Sequence, residues 1–335
     1  MKVLYFLNSK SKGGLEIYFL KIAQKLKEKN VDIYLFFPKS SELFTNLRVL
    51  KFREILLRKW DIVHFFRSSD LVYSLLLKAK KFYHTNMMGL SVSKKDLYHR
   101  IIYRKIDKIF AISEIVKKEL YENLPIEENR IILIYPGVDT GFFKKDINLR
   151  KSFRNEFKIR DEDIVISNTS RIEEKKGQKE LLIVFNELSK EFENIKLFFQ
   201  GHVEDKGYYN DLKKIKGKNV FFLEFTEDIR PLLFASDIYV FPSYGEALGF
   251  SLIEAMSSEL PCIAFGERAI PEIIEDGISG FLVRNKDLMD LKNKIEILIK
   301  NKDLRLELGK KARIRVIEKF NFENYINEIL SYYSL

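Results

Sequence analysis

Short runs of β-branched and aromatic residues alternate with amphipathic stretches along the whole chain. Near-continuous apolar runs suit strands buried on both faces, and the stretches between them suit the crossover helices that parallel sheets require. In the first half the runs are Val3–Leu7, Val31–Phe37, Ile62–Phe66, Phe82–Thr85, Lys108–Ile112 and Ile131–Tyr135. The second half repeats them as Ile164–Thr169, Ile195–Gln200, Asn219–Phe225, Asp237–Phe241, Pro261–Phe265 and Phe281–Val283. Leu15, Phe19, Ile22, Ala23 and Leu26 share one helical face, as do Leu291, Ile295, Leu298 and Ile299, and residues 303–335 read as two closing helices. The pattern predicts an α/β protein of two doubly wound, Rossmann-like parallel-sheet domains facing a cleft, 1–145 and 146–317. The charged stretch Phe142–Asp163 is the expected crossing, and a helix over 318–335 is expected to pack back on the first domain.

The chain has 335 residues, and at roughly 150 per domain that also suggests two domains. Its 46% hydrophobic and 32% charged residues fit a folded globular protein. Cys262 is the single cysteine, so no internal disulfide forms and a cytoplasmic address fits; in an apolar run, it reads as a core residue. The apolar stretch within Met1–Lys10 is too short for a signal peptide and reads as a strand. No window reaches the ~18 apolar residues that span a bilayer, so a membrane would be met peripherally, at its inner face.

Charge is unevenly divided. Residues 1–150 carry 29 Lys+Arg against 16 Asp+Glu, a net +13, and the remainder 29 against 32, a net −3. A basic first half fits an anionic partner such as a membrane surface or phosphorylated acceptor; a solvated lysine-rich surface is the plainer reading. The 28 Phe fall mainly in strands, so no nucleic-acid partner is expected.

Both halves run from their first strand through a polar, lysine-containing loop and a glycine into a helix, at 8–14 and 168–177. Such a unit aims unsatisfied N–H groups at the carboxyl edge of the sheet, where an anion is the natural guest. In the second loop Arg171 and Lys176 could clamp a diphosphate, by bidentate hydrogen bonds and as a point charge. Glu246 and Glu254, eight residues apart in the segment Pro242–Met256, would lie about 12 Å apart if most of the interval is helical. That exceeds the roughly 5–9.5 Å of glycosidase pairs and suits two clamps on a ligand with two hydroxyl-bearing ends. Taken alone, they are equally a helix-start carboxylate and a solvated one. Asp161-Glu162-Asp163 precedes a strand, so no metal is expected there, and His64 and His99 read as structural or exposed.

Taken in order, these segments resemble the group 1 glycosyltransferases, the retaining, GT-B-fold enzymes of glycosyltransferase family 4. The resemblance is carried by Gly13-Gly14-Leu15-Glu16, Phe110–Glu114, Tyr135–Asp139, Arg171 with Lys176-Gly177, the Glu246/Glu254 segment, Pro271–Ile274, Asp276-Gly277 and Gly280–Val283. It implies that Arg171 and Lys176 bind the donor diphosphate and stabilise the leaving group. Glu246, with Ala247, Leu248 and Gly249, would hold the transferred sugar and Glu254 the ribose, while backbone at Glu224, Phe225 and Thr226 would read the base. Gly13 and Gly14 would approach the donor phosphate and acceptor, and His84 would face the reacting sugar. The implied partners are a UDP-, GDP- or ADP-sugar and a lipid-linked or cell-envelope glycan such as lipopolysaccharide, capsule or glycolipid, with no cofactor or metal. Gln200-Gly201-His202 departs from the Gly-x-Gly common in relatives, and Pro136 replaces a common asparagine. Competing readings are an epimerase or phosphorylase of the same fold, or a non-catalytic basic binding protein.

Overall fold

The structure, a computed structural model, describes residues 1–9, 14–37 and 46–334. The chain forms two compact units, Met1–Pro136 with Glu323–Leu335, and Gly137–Phe322.

The first unit holds strands β1 (Lys2–Phe6), β2 (Asp32–Phe36), β3 (Arg48–Val49), β4 (Lys59–Phe65), β5 (Lys78–Asn86), β6 (Lys108–Ala111) and β7 (Ile131–Leu133). They form one parallel sheet in the order β3-β2-β1-β4-β5-β6-β7. Six of the seven coincide with predicted runs. β3 was not predicted, because two exposed residues at a sheet edge leave no periodicity to read. The helix Phe322–Tyr333 closes this unit: Tyr333 donates to Tyr5 (2.8 Å) and stacks on Tyr83, and the Tyr83 hydroxyl donates to the Tyr332 carbonyl (2.9 Å). His64 lies in the same buried cluster, bonded to Tyr333 and Thr85.

The second unit contains β8 (Ile164–Thr169), β9 (Ile195–Gln200), β10 (Val220–Leu223), β11 (Ile238–Phe241), β12 (Cys262–Phe265) and β13 (Phe281–Val283), parallel in the order β10-β9-β8-β11-β12-β13. Every residue of β8, β11 and β12 is buried, which explains the unbroken apolar character of β11 and β12, while β8 ends in the buried polar residues Ser167, Asn168 and Thr169. Helices cover the sheet, and several start on side-chain caps: Asp205 accepts from the Tyr208 N–H, Asp287 from Asp290 and Asn301 from Leu304.

The stretch read as a crossing contains a helix, Ile147–Glu156, that belongs to the second unit. Its arginines are structural: Arg150 donates to the carbonyls of Phe234, Ala235 and Ser236 and pairs with Asp237 (2.9 Å), and Arg154 donates to the Asp163 carbonyl (2.8 Å). The units accordingly part at 136/137 and 322/323, against the 145/146 and 317/318 read from sequence. Among the described residues no helix is long and apolar enough to cross a membrane.

Candidate functional site

Sequence order in the second sheet runs outward from β8 through β9 to β10, then restarts beside β8 with β11. The loops leaving β8 and β11 therefore diverge at the carboxyl edge, the position where open α/β sheets bind ligands. The predicted residues of this unit stand on that edge or just behind it. Arg171 and Lys176 follow β8, Glu224–Thr226 follow β10, and Glu246–Gly249 follow β11.

The two loops are drawn together at one point. Gly177 adopts φ +66°, and a Cβ there would lie 2.0 Å from the Pro242 carbonyl oxygen, so this approach of backbone to backbone requires glycine. Tyr244 N–H donates to the Lys175 carbonyl (2.8 Å), and the Ser243 hydroxyl reaches the same oxygen (3.3 Å). Across this seam Lys176 Nζ meets Glu246 Oε1 at 2.6 Å, with the two side chains only 18% and 16% exposed. Ser243 donates to the same carboxylate oxygen. Gln178, fully buried, donates to the Ser170 hydroxyl (2.9 Å) and the Arg171 carbonyl (2.7 Å), fixing the backbone from which Arg171 projects. The Arg171 side chain is 56% exposed and pairs with Glu173 (2.8 Å) and Glu204 (3.7 Å).

The structure thus brings Lys176 and Glu246 into contact and places Arg171 in the same loop as Lys176. It corrects the geometry drawn for the two glutamates. Residues 246–249 are loop, Gly249 stands at φ 121°, and the helix begins only at Phe250, so the 12 Å helical spacing does not apply. Glu254 sits half-buried on that helix, and Leu248 is buried. Gly201 would place a Cβ 2.0 Å from the Ser170 carbonyl oxygen, so the single glycine of Gln200-Gly201-His202 is set by packing against the β8 loop. Glu224 and Phe225 are exposed.

In the first unit the winding reverses between β1 and β4. The Asn8 N–H donates to Asp70 (2.9 Å) and Arg67 donates to the Asn8 carbonyl (2.9 Å), tying the two loops. Gly13 lies outside the described residues. Gly14 opens the first helix, and a Cβ there would meet no atom within 4 Å, so nothing in the described protein demands glycine. His84 is buried on β5: Nδ1 donates to the Phe65 carbonyl (3.2 Å) and Nε2 accepts from Ser68 (3.3 Å). Burial lowers its pKa to about 4, so the ring is neutral at pH 7. Asp163, of the D-x-D sequence, is buried and tied to Arg160 (2.9 Å) and Lys196 (3.4 Å), a structural role. Burial raises the pKa of the Cys262 thiol, which keeps it protonated.

Residues 150–315 match the family described as glycosyl transferases group 1, and residues 43–142 that described as glycosyltransferase family 4. The chain belongs to the group 1 glycosyltransferases. It is 25% identical to an uncharacterized glycosyltransferase of Methanocaldococcus jannaschii over 94% of this chain and 93% of that one. It is 29% identical to a capsular polysaccharide biosynthesis glycosyltransferase of Staphylococcus aureus, over 68% of this chain and 61% of that one. Anabaena HepE, crystallised with UDP-glucose, superposes with a TM-score of 0.83 at 19% identity, covering all of both chains. The fold is the GT-B fold of such transferases.

Three residues of this group 1 glycosyltransferase were missed as site components. Ser243 lies in the quoted Pro242–Met256 segment, but a serine after a strand carries no signal of the carboxylate it holds. Gln178 follows Gly177 and reads as an ordinary first-turn residue. Glu173, the partner of Arg171, is one of two adjacent glutamates, and sequence does not say which turns inward.

Proposed function

We infer that the protein is a retaining, metal-independent transferase that moves a sugar from a nucleotide diphosphate sugar to a lipid-linked or cell-envelope glycan. The observation that carries this reading is the Lys176–Glu246 contact at the strand switch of the second sheet, with Arg171 on the same loop. Breaking the bond between the anomeric carbon and the phosphate oxygen sends the electron pair to the diphosphate. Fixed cations beside that oxygen are worth more in the transition state than in the ground state. Lys176 and Arg171 supply them, and their carboxylate partners hold them in place before the donor arrives. Glu246, once Lys176 turns to phosphate, offers an acceptor to sugar hydroxyls, with Ala247, Leu248 and Gly249 lining the same turn; Glu254 takes the ribose and the 224–226 backbone the base.

Retention requires the acceptor oxygen to bond the anomeric carbon on the face the phosphate leaves. Its proton passes to the departing phosphate oxygen, so no protein base is needed. UDP-glucose bound to Anabaena HepE and the capsular role of the Staphylococcus aureus relative support the donor and acceptor classes.

The test is calorimetric titration with UDP, GDP, ADP and their sugars, followed by NMR of the product's anomeric centre. Saturable binding of one diphosphate and a product with the donor's configuration is expected. An inverted product would remove the retaining mechanism, and absence of any saturable diphosphate would remove the transferase reading.

A further inference from the structure

The Leu97–Arg104 helix of the first unit turns an apolar face outward. Ile102 and Tyr103 are buried beneath it, yet Leu97, Tyr98 and Ile101 are 74%, 56% and 51% exposed. At about 100° per residue, Leu97, Ile101 and Tyr98 fall on one arc of the helix surface, Arg104 and Arg100 flank it on one side, and Lys105 stands at its C-terminal end. The preceding loop adds exposed Met88 and Val92. Residues 94–105 carry five Lys/Arg against one acid, Asp96, which is occupied as the helix cap and as the partner of His99. An ordinary surface helix would present polar side chains here.

Apolar side chains flanked by cations, in the half of the chain that bears a net +13, complement an anionic bilayer. The apolar groups enter the headgroup boundary and the cations meet lipid phosphates. We propose that the Met88–Lys105 segment docks the enzyme on anionic phospholipid membranes. The occupant is lipid and not a protein surface because cations outnumber acids five to one over residues 94–105, which matches a predominantly negative plane. The purpose, presenting the enzyme to a lipid-linked acceptor, rests on the function inferred above; the binding itself needs neither donor nor acceptor.

The experiment is vesicle flotation of the full chain with phosphatidylcholine alone and with phosphatidylglycerol added. The wild type is expected to float only with the anionic vesicles. Arg104→Gln and Lys105→Gln should each weaken partitioning roughly fivefold, and Leu97→Ser with Ile101→Ser at least about tenfold, with melting temperatures unchanged because the side chains are exposed. A wild type that stays at the bottom of the gradient, or variants that float as well as it does, would overturn the proposal. So would a concentration-dependent dimer, seen by ultracentrifugation, that the Leu97/Ile101 substitutions abolish while vesicle binding stays absent. A wild type that does not float yet turns over a soluble acceptor rejects the docking face alone; a wild type that floats but binds no diphosphate rejects the transferase reading alone.

Discussion

Lys176→Met separates a catalytic cation from a structural one. In the wild type the ammonium lies 2.6 Å from Glu246, and both side chains are more than four-fifths shielded. Removing it leaves a shielded carboxylate with Ser243 as its remaining side-chain donor among the described residues. Breaking a fully buried pair costs about 3–5 kcal/mol; residual exposure here reduces that to about 1–3 kcal/mol, or several degrees in Tm for a unit of this size. Glu246→Gln on the same background relieves the uncompensated charge, so the double variant should regain most of the lost stability. Turnover should behave differently: losing one preorganised donor at a leaving group costs about 10²–10³-fold, and neutralising Glu246 supplies no replacement cation. The assay pairs thermal denaturation with initial rates on the donor that calorimetry selects, across wild type, both single variants and the double variant. If the double variant recovers stability and rate together, or if Lys176→Met stays within a few-fold of wild-type turnover, Lys176 is a structural partner and the transition-state argument fails.

Gly177→Ala should destabilise the second unit by at least about 2 kcal/mol, since a left-handed alanine is strained and its Cβ would sit 2.0 Å from the Pro242 oxygen; an unchanged urea midpoint would show that the loops yield freely. His84 has a folded pKa near 4 against an ordinary 6.5, so the unfolded chain takes up its proton first and stability falls as pH drops from about 6.5 to 4, by at most ~3 kcal/mol from this ring. Burial pushes His64 down as well, in the same sense. His84→Gln should flatten part of that acid slope in denaturant titrations, and a slope identical to wild type would refute the assignment. EDTA should leave turnover unchanged, whereas loss restored by a divalent ion would establish a metal requirement. Asp163→Asn should lower the melting temperature, since it weakens the ties to Arg160 and Lys196; an unaltered melt would deny Asp163 its structural role.

The sheets were legible because parallel strands buried on both faces leave near-continuous apolar runs, as in β11 and β12. Where charge does structural work, the same reading fails. Arg150 and Arg154 looked like a solvated connection, but both reach into the carbonyls closing the Arg230–Ala235 helix, and a helix stands where a crossing was expected. Gly249 hid the start of the next helix: its φ of 121° ends the loop, and composition alone does not distinguish a glycine that permits a turn from one inside a helix. Residue types at the site were readable, since Arg, Lys and Glu after strands have few other reasons to cluster. Their pairing was not. Lys176 and Glu246 are 70 residues apart, and only the placement of β11 beside β8 makes them neighbours. The contact is therefore a property of strand order. Any substitution that spread these two strands at their carboxyl ends, Gly177→Ala being the mildest, would separate the ion pair without altering either charged residue.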